Sequence, residues 1–411
     1  MKNRIARIRV VGIGFVLAAL FANTAHAGPR AYVTNALDGT VSAVDLRSGV
    51  VLATIPVGCD PRDIVAHPDG SRVYVANTCY DDQDAGPSTI SVIDTRTNSV
   101  VDEIPVAWGP VALAIDRSGH RLFAACLTEL PFSDEDSSGT LYIIDLATGN
   151  RDYLPLYVVP RDLVITPDGR RAFVAMVSGY RDDEGNVVHT SRGVIDIPLD
   201  GVGENRTFSG LSGPLAIDSR AGRLYAVDQE QDELAVIDTV SGATLARVPV
   251  GVAAQEVFVD RALRRVFVSS AGESPNAPPD AVTVVATTTN RIVDVFDGGW
   301  TPVGITRLPR SRTLLVTNFY EGSLLELDVQ TGAVQRTIAV GRGAPAVAVV
   351  APCAAAALRP GPRQLVRAAR AARQRRIKAL VEESCASAGS LSPSSSGMIR
   401  CARTLPSSTP H

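Results

Sequence analysis

Short runs rich in β-branched and aromatic residues recur along the chain, each bounded by turn residues. One phrase repeats: R-x-[YF]-V-x-N, a variable stretch, V-x-V-I-D-x-x-T-G-x-V, then P-x-x-[IL]-x-[IV]-x-P-D-G. The first segment reads RAYVTN at 30–35, RVYVAN at 72–77, RLFAAC at 121–126, RAFVAM at 171–176, RLYAVD at 223–228, RVFVSS at 265–270 and RTLLVT at 312–317. Runs of this length and composition predict strands, and Pro-Asp-Gly at 68–70 and 167–169 predicts hairpin turns. The strand before that turn is strand A, the one after it B, followed by C and D.

Copies of the first segment start 42 to 52 residues apart, the period of a propeller blade. The repeats begin on a B strand and end, at 345–350, on an A strand with no B after it. Pairing that last strand with 30–34 completes a seventh blade and removes both open sheet edges. The fold class predicted is all-β: a seven-bladed β-propeller of four-stranded antiparallel blades, with A innermost and D outermost.

These strings resemble the YVTN β-propeller repeat family, through Tyr32-Val33-Thr34-Asn35 and its copies over about 29–353. The resemblance is weaker in the fourth repeat, where the inner strand is short, and in the sixth, where Ala286 stands in place of Asp. It implies a seven-bladed ring of the kind found in surface-layer and periplasmic proteins, and it implies no single reaction. The Trp-Asp dipeptide of WD-type repeats is absent, and Val, Asn or Ala after T-G and S-G counts against a quinoprotein docking motif.

Charge divides the chain in three. Residues 1–27 carry Lys2, Arg4, Arg7 and Arg9, an apolar stretch from Val10 to Phe21, and Ala25-His26-Ala27, the order of a secretory signal peptide. An uncleaved anchor is the alternative, though the apolar stretch is short of the roughly 20 residues a membrane span needs. Residues 28–353 form the propeller, with 26 Arg against 41 acidic residues. That acidic body disfavours nucleic acid as a partner. Residues 354–411 are basic; Pro362 to Ser384 predicts a helix, and the Ser/Pro-rich remainder predicts disorder. This tail is either an arm for an anionic surface, the acidic body included, or an unstructured extension. The expected location is periplasmic or extracellular, and the expected state a monomer.

Strand order places the D–A and B–C loops on one face, the top. The long insertions, 77–88, 126–138, 177–191 and 270–280, are all B–C loops, and insertions gathered on one face mark a binding face. They carry Asp81, Asp82 and Asp84; Asp134, Glu135 and Asp136; and Asp182, Asp183 and Glu184, with Asp228, Glu230, Asp232 and Glu233 in a shorter loop. The sequence names no cofactor outright; these carboxylates offer oxygen ligands to Ca²⁺, dock a basic partner, or are solvated loop charge.

Tyr80, Tyr180 and Tyr320 follow B strands, and Trp108 and Trp300 each stand two residues before the Pro that opens an A strand. They anchor a ligand or partner, or pack between blades. Arg62-Asp63 and Arg161-Asp162 share one repeat position near the channel mouth, where Arg can grip a carboxylate or phosphate or close a local ion pair. Asp45, Asp94, Asp145, Asp238 and Asp328 precede turns and are expected to cap backbone donors, not bind metal.

Cys59 and Cys79 flank one A–B hairpin almost opposite each other, which predicts a disulfide. Cys126 is expected to be buried; Cys353, Cys385 and Cys401 have no assignable partners. No nucleophile elbow, HExxH or phosphate loop occurs. The function read from the sequence is a binding scaffold using the acidic top face. A propeller lactonase-like enzyme, or the propeller subunit of a redox enzyme, is the alternative.

Overall fold

The computed structural model describes residues 28–79, 88–106, 109–127, 139–181, 187–272 and 280–351; side chains of 178–181 and 187–190 are not described. The chain divides after Cys353, and the described residues belong to the first unit. Residues 1–27 and 354–411, which include the expected signal peptide and basic tail, lie outside the described residues.

Among the described residues the strands form seven four-stranded antiparallel sheets. Blade 1 takes its A strand from the far end of the chain: Val347–Val350 lies beside Arg30–Asn35, with Ala31 opposite Val349 and Val33 opposite Val347. Thr34 N and Oγ1 both donate to Ala346 O, and Ala346 N donates to Thr34 Oγ1 at 3.1 Å. Blades 2 to 7 begin at Pro61, Pro110, Val159, Leu215, Ala254 and Pro302. No helix among the described residues is long and apolar enough to cross a membrane.

The repeated letters have identifiable physical roles. B and C strands are buried on both faces, so they read as continuous apolar runs, with Tyr32, Val33, Val73 and Val75 wholly inaccessible. Burial of one such side chain contributes about 1.5–3 kcal/mol. The leading Arg joins blades: Arg223 Nη1 donates to Thr287 O (2.8 Å) and Arg265 Nη1 to Val329 O (3.1 Å), each in the next blade. The closing Asn ties B to C: Asn35 Nδ2 donates to Thr40 and Ser42 hydroxyls, while its Oδ1 accepts Gly341 N at 3.0 Å. The Gly of P-V-G must be small there: a Cβ on Gly58 would lie 2.7 Å from the Asn77 side chain.

The repeated aspartates cap turns. Asp45 Oδ1 accepts the amides of Arg47 and Ser48, and Asp94, Asp145, Asp238 and Asp328 do the same in their own turns. These bonds, led by the amide of Ser48 at Asp45 and of Thr148 at Asp145, hold the carboxyls below their ordinary range.

Two sequence expectations are corrected. In the seventh repeat the B strand is Thr313–Asn318, one residue later than 312–317, so Thr313 faces Asp328 and Asn318 faces Ser323. Arg312 stays outside the strand and pairs with the Asp328 carboxylate at 3.0 Å. The 177–191 insertion is not all loop: Arg171–Arg181 and Val187–Pro198 continue the B–C hairpin as long strands.

Cys59 and Cys79 form a disulfide, with Cα atoms 5.3 Å apart. It closes a loop across the second repeat, and loop closure of this length contributes about 3 kcal/mol. A Cys59→Ser, Cys79→Ser variant is expected to melt roughly 6 °C below wild type; a shift under about 1 °C in calorimetry would show that the bond does not brace the fold. Cys126 is buried and unpaired, and burial pushes its thiol far up.

Candidate functional site

The A strands line a central channel of about 840 Å³. Five of them carry one extra residue near the top relative to their B partners, between Pro61 and Asp63, Pro110 and Ala112, Pro160 and Asp162, Ala254 and Glu256, and Pro302 and Ile305. A bulge leaves its extra residue unpaired and re-aims the side chain. In blades 2, 4 and 6 that residue is polar: Arg62, Arg161 and Gln255. All three line the channel, together with the carboxyls that follow them, Asp63, Asp162 and Glu256.

The next position around the ring alternates. It is acidic in blades 2, 4 and 6, and is Ala346, Ala112, Pro214 and Gly304 in blades 1, 3, 5 and 7. Each acid reaches sideways into the following blade. Asp63 Oδ2 accepts Leu113 N (2.6 Å), Asp162 Oδ2 accepts Leu215 N (2.6 Å), and Glu256 Oε2 accepts Ile305 N (3.0 Å). Asp63 and Asp162 also accept the amide of the residue after them, both at 2.7 Å. The acids therefore stitch blades 2 to 3, 4 to 5 and 6 to 7. Their remaining lone pairs stay available to the channel, since an ionised carboxylate offers about four.

Burial in the channel wall raises the proton affinity of all three carboxyls, and neighbouring charge adds to the rise at Asp162 and Glu256. Burial pushes Asp63 up, against the amides of Leu113 and Ile64. Burial also pushes Asp162 up to about 7, against the amides of Leu215 and Leu163, and the Asp63 charge adds to the rise. Glu256 is raised well above its ordinary value by burial, with further contributions from the charges of Asp63 and Asp162. The set can thus offer both hydrogen-bond donors and acceptors near neutral pH.

Above the acids lie guanidinium groups. Arg62 Nε donates to Asp60 Oδ2 at 2.7 Å, so the local ion pair at that repeat is with Asp60 and not with Asp63. Arg192 pairs with Glu230. Arg161 is exposed on the channel wall and has no ion pair or hydrogen bond among the described residues. A guanidinium without a partner among the described residues, lining the same channel as carboxyls of raised proton affinity, is suited to an anionic ligand that also carries hydroxyls.

The remaining sequence candidates are distributed as follows. Trp300 and Tyr320 sit together at the top of blade 7, ring centroids 6.0 Å apart. Tyr180 lies within the extended B strand, not after it, and its side chain is not described. Tyr80, Trp108, Asp81, Asp82, Asp84, Asp134, Asp136, Asp182 and Asp183 lie outside the described residues. In the shorter acidic loop, Asp228 and Glu233 both pair with Arg247 at 3.1 and 3.3 Å. No group of three metal-ligating side chains occurs among the described residues.

Glu256, Gln255 and the channel-lining Phe319 were not singled out from the sequence. Glu256 had a signal: QEVFVD occupies the repeat position of RDIVAH, with Glu at the acid position.

Fold and channel together define a seven-bladed β-propeller with a polar, carboxyl-ringed centre. No protein-family model and no curated protein matches the sequence. Solved structures do match. A periplasmic gluconolactonase from Pseudomonas aeruginosa gives a TM-score of 0.60 at 16% identity, covering 79% of this chain and 99% of that one. A putative 6-phosphogluconolactonase from Bacteroides fragilis gives 0.57 at 16% identity, covering 80% and 99%. The dihydro-heme d1 dehydrogenase NirN, in complex with DHE, gives 0.53 at 14% identity, covering 76% and 73%. At these identities the likeness shows the fold alone.

Proposed function

We propose that this is an exported propeller that binds a small polyhydroxylated acid, or its lactone, in the top of the central channel. The observation that carries the reading is the ring of Asp63, Asp162 and Glu256 below Arg161. The carboxyls take hydroxyl groups, and the guanidinium takes the acid or the lactone carbonyl. Export is supported by the basic-apolar-small order of 1–27 and by the Cys59–Cys79 disulfide. This narrows the broad top-face scaffold to a small-molecule site, since converging carboxyls and Arg in a deep channel suit a ligand better than a flat partner.

Hydrolysis of the lactone is the second reading, favoured by Asp162 at about 7 next to Arg161 in sequence. In that step Asp162 takes a proton from water and the water oxygen bonds to the carbonyl carbon. The ring C–O bond then breaks, and the proton passes to the leaving oxygen to give the hydroxy acid. Arg161 would stabilise the oxyanion. Two of the similar folds bear lactonase names, in keeping with this chemistry.

The test is calorimetric titration of the purified protein with gluconate and glucono-δ-lactone, with acid release followed in parallel. Wild type is expected to bind with a Kd on the order of 10–1,000 μM, and Arg161→Met to weaken binding at least about tenfold. Absence of binding to every aldonate and aldonolactone tried would sink the reading. Binding without lactone opening would retain the site and remove the hydrolase.

A further inference from the structure

The channel wall continues outward as a row of aromatic rings. Phe319 lines the channel. Tyr320 meets it edge-on with centroids 5.3 Å apart, and Trp300 lies 6.0 Å from Tyr320 at 41°. Trp300 is 59% exposed and Tyr320 65%, so neither ring belongs to the core. Among the described residues nothing buries these two adjoining rings, and a paired aromatic surface of this kind is suited to a ligand or partner.

The backbone holds Trp300 between two left-handed residues, Gly299 (φ 82°) and Thr301 (φ 57°). Other blades also turn left-handed just before the inner strand, at Asp60, Gly109 and Ala253. Blade 7 fills that position with a β-branched residue, the least tolerant type. Gly299 N donates to Asp297 Oδ1 (3.0 Å), and Phe319 N donates to Thr301 O (3.0 Å), so the two aromatic segments are fixed to each other.

We propose that Trp300 and Tyr320 form a stacking subsite for a saccharide ring, so that the ligand is a glycosyl aldonic acid with its acid end in the channel. This rests on the channel reading above. A saccharide offers an apolar C–H face to the rings and hydroxyls to two exposed carboxyls close to them in sequence, Asp297 three residues before Trp300 and Glu321 directly after Tyr320. A purely apolar partner would have to strip water from those two carboxyls. The row of rings runs from the channel mouth outward, which suits a ligand longer than a single aldonate.

Calorimetry with cellobionate and gluconate on wild type, Trp300→Ala and Trp300→Phe tests the proposal. Wild type is expected to bind cellobionate about tenfold or more tighter than gluconate. Trp300→Ala should remove that advantage while leaving gluconate affinity unchanged, and Trp300→Phe, which keeps a ring, should restore most of it. Wild type binding both acids equally, or Trp300→Ala leaving cellobionate within about twofold of wild type, overturns the stacking subsite alone. Wild type binding neither acid overturns the channel reading and this proposal with it.

Discussion

A chain ending at Gly343 is expected to lose cooperative folding, whereas a chain ending at Ala351 should melt as the full protein does. The two differ by the segment that gives blade 1 its inner strand. Without it, the ladder from Arg30 to Val33 has no partner on its channel side, and the Thr34–Ala346 clamp is gone. Ala346, Ala348 and Val350 also leave the core they share with Tyr32, Val41 and Val73. The bare strand becomes an open edge facing a cavity, the geometry that invites aggregation. A milder probe is Ala348→Pro, which removes one donor from the same ladder and should lower the melting temperature without abolishing folding. If the chain ending at Gly343 melted within a few degrees of the one ending at Ala351, the ring would not depend on this closure.

Asp196→Ala should be among the most damaging single substitutions away from the ring seam. Asp196 is fully buried between two arginines. Its Oδ1 accepts Arg171 Nε (2.9 Å), and its Oδ2 accepts Arg206 Nε (3.0 Å) and Nη2 (2.5 Å). Arg206 in turn donates to Thr239 O and Val240 O of blade 5, so the carboxylate aligns a bridge between blades 4 and 5. Removing it leaves two guanidinium groups facing a hole. Breaking a buried pair typically costs 3–5 kcal/mol; both arginines are about one-third exposed, so about 3 kcal/mol is expected. Arg312→Ala, which removes an exposed partner of Asp328, should cost under about 1 kcal/mol. Chemical denaturation of the two variants checks the contrast. Equal losses would mean that the Asp196 cluster is only surface charge.

The ring was legible because its signals are local. Turn residues and β-branched runs recur with a blade's period, an Asn ends the B strand in blades 1, 2 and 7, and the first and last repeat segments carry complementary strands. The disulfide was legible for the same reason, since hairpin centring fixes which residues face each other. The seventh repeat shows the limit. Anchoring it on Arg312 shifts the strand by one residue, and a one-residue slip exchanges the faces of every side chain. Asn318, aligned with Asn35 and Asn77, marks the correct register.

The channel site was legible only in part. Asp63 and Asp162 stand out beside their arginines, but the string does not show that a bulge separates the two side chains' roles. It also does not show that each carboxyl bonds an amide about fifty residues further on. Glu256 escaped because its repeat lacks both the Pro and the Arg of its counterparts. Alternation of acid and small residues around the ring emerges only when the seven inner strands are set side by side.

Three buried carboxyls of raised proton affinity ring the channel, with the charge of Asp63 acting on Asp162 and the charges of both acting on Glu256. Carbon-13 NMR titration of the side-chain carboxyls reads this directly, with Asp63→Asn, Asp162→Asn and Glu256→Gln providing the assignments. Asp162 is expected to titrate with a midpoint at about 7, and to fall when Asp63 is replaced by Asn, because one neighbouring charge is gone. Glu256 is expected well above the ordinary carboxyl range. All three titrating near 4, as carboxyls do in open water, and independently of one another, would contradict the coupled ring and the ligand site built on it.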